Sequence, residues 1–121
     1  MSVLVWVAVI LIGGCGAVLR FVVDGAVGAW FGRDFPLGTL SINLSGALVL
    51  GLLTGLALDN HEALLAGTAA VGSYTTFSTW LFETQRLDEE GRHRAAAANV
   101  VLSLLLGLGA AALGRWIGLH A

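Results

Sequence analysis

The 14 charged side chains of this 121-residue sequence are spaced so that four long stretches carry none, and this spacing constrains the fold more than any other feature. The stretches are Met1 to Leu19 (19 residues), Phe35 to Leu58 (24), Ala63 to Phe82 (20) and Ala95 to Gly114 (20). A helix crossing about 30 Å of hydrocarbon needs about 20 mostly apolar residues, so each stretch is long enough to span a bilayer. Arg20 to Asp34 holds four charges and Glu83 to Arg94 seven; Asp59 and Glu62 separate the second and third stretches, and Arg115 follows the fourth. The pattern predicts an all-α membrane protein, one domain over residues 1–121, with transmembrane helices at about 2–23, 36–58, 63–83 and 94–119. Four spans put both termini on the same side, and the short connections leave no room for a soluble domain.

Composition excludes the main alternatives. Charged residues make up 12% of the chain, where soluble domains carry about 25%, and the mean hydropathy is +0.87. That excludes an ordinary soluble enzyme, and such hydrophobicity excludes disorder. Cys15 is the single cysteine, so there is no disulfide scaffold. A formal net charge of -2 offers no basic footprint for nucleic acid. His61, His93 and His120 fall in connections or at the terminus without ligand spacing, and no nucleophile constellation is present, so no catalysis is expected. Ile12, Gly13, Gly14 and Cys15 look like a lipoprotein cleavage box, but Met1 and Ser2 supply no positive charge ahead of the apolar core.

Trp6, Trp30, Phe31, Phe35 and Trp116 lie near the predicted helix ends, where amphipathic rings settle at the headgroup level. The 17 glycines fall largely inside the spans, and in lipid small residues let backbones approach closely. Gly51 and Gly55 form a GxxxG pair, extended along helix 2 by Ser41, Ser45 and Gly46. Small faces this extensive predict packing against a second copy of the chain; packing within one four-helix unit is the alternative.

Two segments interrupt the apolar pattern with polar side chains. In Gly38 to Gly46, Thr39, Asn43 and Gly46 recur on one helix face. An asparagine in hydrocarbon must find partners or line water, serving as interhelical glue or as part of a polar path. In Gly72 to Trp80, five Ser/Thr hydroxyls (Ser73, Thr75, Thr76, Ser78, Thr79) sit beside a glycine in the middle of helix 3. Such residues compete with the backbone for hydrogen bonds, so a break is expected here; the alternative is an intact helix whose hydroxyls bond back to its own turn. Freed carbonyls suit cations and freed amides suit anions, which makes a mid-membrane break a recurrent ion-site device. Arg20, closing the first stretch, either snorkels to the headgroups or places fixed positive charge at the mouth of an anion path.

The segments GGCGAVLRF, GTLSINLSG and GSYTTFSTWLFE, in this order on helices 1, 2 and 3 of so short a chain, resemble the CrcB/Fluc family of fluoride channels. The resemblance covers essentially the whole chain, and the third segment is its most specific part. It implies passive, fluoride-selective export across the inner membrane by a multi-pass protein conferring fluoride resistance. It further implies an antiparallel, dual-topology dimer with two pores and a structural sodium ion at the dimer centre. Carried over by motif, the fluoride pathway falls on Asn43, Phe77, Trp80, Ser78, Thr79 and Ser103, the vestibule charges on Arg20 and Glu83, and the sodium on the carbonyls of Gly72 and Thr75. Two positions depart from the family pattern: Trp80 stands where phenylalanine is usual, and Asn99, four residues before Ser103, where tyrosine is common. Trp80→Phe, restoring the commoner residue, is accordingly expected to be tolerated.

Such a pathway suits fluoride. A small, strongly hydrated anion needs donors to replace its water, and aromatic ring edges can solvate it without the trap that a full positive charge would make. A small multidrug or guanidinium-type exporter is the competing transport reading, but proton-coupled cation export needs a carboxylate deep within a span, and none of the four charge-free stretches holds one. A membrane subunit with no transport of its own explains the glycines but not the hydroxyl cluster. Orientation is less balanced than dual topology demands: Arg33, Arg86, Arg92 and Arg94 follow helices 1 and 3, against Arg115 alone on the other side. The partner is therefore a second copy of the chain or an oppositely oriented homologue, with the surrounding lipid and fluoride as the other contacts.

Overall fold

The computed structural model describes residues 2–121. Helix α1 (Val3–Phe31) starts where the Ser2 hydroxyl accepts the Val5 N–H at 3.3 Å and stops at Gly32, whose φ of 77° closes its N–H onto the Gly28 carbonyl. After Pro36, α2 (Leu37–Leu56) runs to Ala57, which takes a left-handed conformation. The Asp59 carboxylate caps α3 (Asn60–Ala63) by accepting the Glu62 N–H at 2.8 Å. A π-helical segment (Leu64–Val71) and one turn, α4 (Gly72–Tyr74), follow. Thr75 is extended, with φ -81° and ψ 163°, and helix resumes as α5 (Ser78–Glu89). Gly91, at φ 79°, turns the chain into α6 (His93–Leu119).

Three of these helices, α1, α2 and α6, are long and apolar enough to cross a membrane. Residues 63–83, where the third span is expected, fall in a series of shorter helical segments between Asn60 and Glu89, none of which is by itself long enough to cross a membrane. Helix α1 also outruns its expected end at residue 23 by eight residues. Charge marks where a helix leaves hydrocarbon, whereas the helix itself continues until a residue such as Gly32 turns it. Beyond Arg20, Asp24 pairs with Arg33 at 3.4 Å across the last turns.

Packing is close where side chains are smallest. Along the α2–α6 contact, a Cβ on Gly51 or Gly55 would run into the carbonyls of Ala111 and Arg115, and a Cβ on Gly114 or Gly118 into those of Leu48 and Leu52. The Gly51–Gly55 face, expected to meet another copy, is thus occupied within the chain by a second GxxxG pair. Gly16 of α1 lets the Ala70 carbonyl approach in the same manner. Arg86 and Arg92 donate to the carbonyls of Arg33 and Asp34, which ties the α1–α2 and α5–α6 connections together at one end of the bundle. The interior is small, with Ile42, Ala69, Val71, Leu87 and Ala96 as its buried apolar residues, and α1 exposes most of its apolar length. Trp30, Trp6 and Trp116 are exposed as well, a surface that fits lipid and not water.

Candidate functional site around the interrupted segment

The site is organised by Asn43. From α2 its Nδ2 donates to the Thr76 carbonyl at 2.8 Å, and its Oδ1 accepts the Thr76 N–H at 2.9 Å. One side-chain amide thereby replaces two backbone partners that residue 76 lacks outside a helix. The flanking hydroxyls complete the arrangement: Thr75 donates to the Val71 carbonyl at 3.0 Å, and the Thr76 hydroxyl accepts the Thr79 N–H at 3.2 Å, capping the start of α5. Gly46, one turn from Asn43, leaves the space that the Thr75 methyl fills.

Three hollows follow one another past this point. The first, about 330 Å³, is lined by Asn43, Gly46, Thr75, Thr76, Phe77, Trp80 and Ser103 among others. The Phe77 and Trp80 rings lie 5.5 Å apart, inclined at 54°. Phe77 is 68% exposed, and the Ser103 hydroxyl is buried with no hydrogen-bond partner among the described residues. A second hollow of about 360 Å³ shares Thr76 with the first and adds Arg20, Asp24, Thr39 and Thr79. A third, about 300 Å³, shares Asp24 with the second and carries Arg33, Glu83 and Arg86 at the charged end of the bundle. The series runs from an aromatic and amide wall, through hydroxyls, to a mixed-charge rim.

Of the residues singled out from the sequence, Asn43, Phe77, Trp80 and Ser103 come together in the first hollow, and Arg20 and Thr79 meet in the second. Glu83 lines the rim and accepts a hydrogen bond from the Thr39 hydroxyl, itself 2% exposed. Ser78 is exposed and lines none of the three. The Arg20 guanidinium turns inward and donates to the Thr75 carbonyl at 3.4 Å, a different contact from a headgroup. Gly72 is exposed. In a continuous helix its carbonyl would accept the Thr76 N–H, which here goes to Asn43 instead. No group of three His, Cys, Asp or Glu side chains converges among the described residues.

Thr76, common to the first two hollows, and Asp24, common to the second and third, were not among the site residues expected from the sequence. Asp24 had a signal, since it follows Arg20 by four residues on the same helix face. Thr76 lies in the hydroxyl cluster where the break is expected, but its partner Asn43 is reached through its backbone, and the sequence does not show that pairing.

Comparison with known proteins identifies the family. A family model described as CrcB-like protein, Camphor Resistance (CrcB), matches residues 7–115. The chain is 65% identical over 114 residues to "Fluoride-specific ion channel FluC 2" of Mycolicibacterium paratuberculosis, covering 94% of this chain and 93% of that protein. It is 56% identical over 117 residues to the protein of the same name from Mycobacterium tuberculosis, covering 97% and 93%. With "Fluoride-specific ion channel FluC 1" of Leifsonia xyli subsp. xyli it shares 45% over 122 residues, covering 98% and 89%. With a family model matched over most of its length and relatives this similar end to end, the chain belongs to the CrcB family.

Proposed function

We propose that the chain is a passive, fluoride-specific ion channel of the inner membrane and not an enzyme, in keeping with the names its relatives carry. The observation that carries the reading is the first hollow, where Asn43, Phe77, Trp80 and Ser103 surround the non-helical Thr75–Phe77 backbone with no charged side chain in the wall. Amide and hydroxyl donors replace part of the ion's water there, and tilted aromatic rings offer positive edges. Arg20 and the opening turn of α5 add positive potential on the approach, drawing the anion in from the rim. A coupled cation exporter lacks support, since the acids of this path, Asp24 and Glu83, stand beside arginines at the charged end.

In this reading the segmented stretch Asn60–Glu89 is the third of four spans, and Thr75 to Phe77 is its functional break. The uncovered face of α1 and the exposed Gly72 support a second copy in antiparallel orientation, or an oppositely oriented homologue, completing two pores. The carbonyls of Gly72 and Thr75 are the proposed sodium ligands, and the donor set suits them to it. Both are hard oxygen donors; the first is released from its helical N–H, and the second keeps a lone pair beyond the one that Arg20 occupies. A sodium ion held by these carbonyls would supply fixed positive charge against their dipoles.

A bacterium deprived of its own fluoride export tests the function in cells. Expression of this chain should restore growth on fluoride-containing medium, and failure to restore it with the chain present in the membrane would overturn the reading.

A further inference from the structure

The Trp80 indole nitrogen donates to the backbone carbonyl of Asn99 on α6 at 3.3 Å. Asn99 is 1% exposed, and its Nδ2 donates to the Thr84 hydroxyl at 2.8 Å. That hydroxyl in turn donates to the Trp80 carbonyl, also at 2.8 Å. The bonds close a ring from the Trp80 side chain through Asn99 and Thr84 back to the Trp80 backbone. Neither Asn99 nor Thr84 lines the first hollow, so whatever they do there they do through Trp80.

The ring bears on Ser103. A serine inside a helix ordinarily returns its hydroxyl to a carbonyl three or four residues back, as Ser45 does to Ile42; for Ser103 these are the carbonyls of Val100 and Asn99. One lone pair of that carbonyl takes the Ser103 N–H in the helical ladder, and the indole takes the other. With the four-back acceptor filled and no bond made to Val100, the Ser103 hydroxyl is left buried, without a partner among the described residues, on the wall of the hollow.

We infer that the Trp80 N–H, held in place by the positioning residues Asn99 and Thr84, keeps the Ser103 hydroxyl free to donate to the permeating anion. The inference rests on the fluoride-channel reading. It also withdraws the one strong donor of the indole from the path, so the ring contributes only its weakly polar edge and face.

The structure thus reverses the tolerance for Trp80→Phe that the sequence suggests. Without the indole N–H, the Asn99 carbonyl becomes available and Ser103 folds back onto it. Fluoride flux should fall about tenfold, the loss of one hydrogen bond to a charged group. Replacing Trp80 with 3-benzothienylalanine, which keeps the shape and lacks the N–H, should give the same loss without disturbing packing. Ser103→Ala should match it, and Trp80→Phe combined with Ser103→Ala should conduct no less than Ser103→Ala alone, because both changes remove the same free hydroxyl. A readout independent of flux is hydrogen exchange at the indole, in protein carrying Trp6→Phe, Trp30→Phe and Trp116→Phe and labelled with ¹⁵N at the one remaining indole. Exchange should be slow and should speed up in Thr84→Val and Asn99→Leu. Parental flux in the benzothienyl protein, losses that multiply in the double variant, or fast indole exchange in the parent would each overturn the inference. Absence of fluoride flux in the parent would instead overturn the channel reading on which it rests, and indole exchange would still report whether the ring forms.

Discussion

Replacing Asn43 with leucine keeps the volume of the side chain and removes both hydrogen bonds to Thr76. Side-chain hydrogen bonds between membrane helices average about 0.6 kcal/mol each, and a stranded buried backbone group costs about 1–3 kcal/mol. Two lost bonds at 2.8 and 2.9 Å therefore weigh about 1–4 kcal/mol against the non-helical backbone at residues 75 to 77. If that backbone must be in place for conduction, the ratio of conducting to non-conducting backbone falls about five- to a thousandfold, and flux falls with it as the non-conducting form comes to dominate. Reconstituted protein with a fluoride electrode measures the flux, and elution volume in detergent checks that the assembly survives. Asn43→Asp makes a useful companion, since it keeps an acceptor for the Thr76 N–H but loses the donor and sets a carboxylate on the anion path. It should hold its assembly better than Asn43→Leu and still conduct poorly. Asn43→Leu conducting at about the parental rate, with unchanged elution, would refute the argument that this pairing holds the conducting backbone.

Phe77→Ile keeps apolar bulk but loses the ring quadrupole, so flux should fall about tenfold with the assembly intact; unchanged flux would return Phe77 to a packing role. Gly46→Ala drives a Cβ into the Thr75 methyl and should cost about 1–3 kcal/mol of stability along with flux. Thr75→Ser removes that methyl, and thermal denaturation of the double variant should show recovery if the contact is the cause. Single cysteines at the termini, on a Cys15→Ser background, should react with an impermeant maleimide from both faces of sealed vesicles; labelling from one face only, with no second protein co-purifying, would defeat the antiparallel dimer.

How far the sequence reached can be judged residue by residue. Charge-free length located α1, α2 and α6 because hydrocarbon thickness sets helix length directly, whatever the tertiary contacts. The same rule misplaced the end of α1, which depends on the backbone of Gly32 and not on the first charge. Small residues were legible as a packing signal but not as to partner: the Gly51–Gly55 pair meets Gly114 and Gly118 of α6, a second GxxxG that the sequence also displays. At the site, Asn43 stood out as an amide in apolar surroundings, whereas Phe77, Trp80 and Ser103 came from the family resemblance; the four line one hollow. What could not be read was pairing through the backbone. The Asn43 bonds to Thr76, the Arg20 bond to Thr75 and the Trp80 bond to Asn99 all end on main-chain atoms, which every residue type carries alike.

The central claim is that this chain lets fluoride flow passively and rejects chloride. It is tested most directly with purified protein in sealed liposomes loaded with equal fluoride and chloride, with no proton gradient, and both anions followed by electrode after external dilution. The account predicts rapid fluoride efflux down its own gradient, with chloride leaving no faster than from protein-free liposomes. Fluoride release at the protein-free rate, or chloride keeping pace with fluoride, would contradict it.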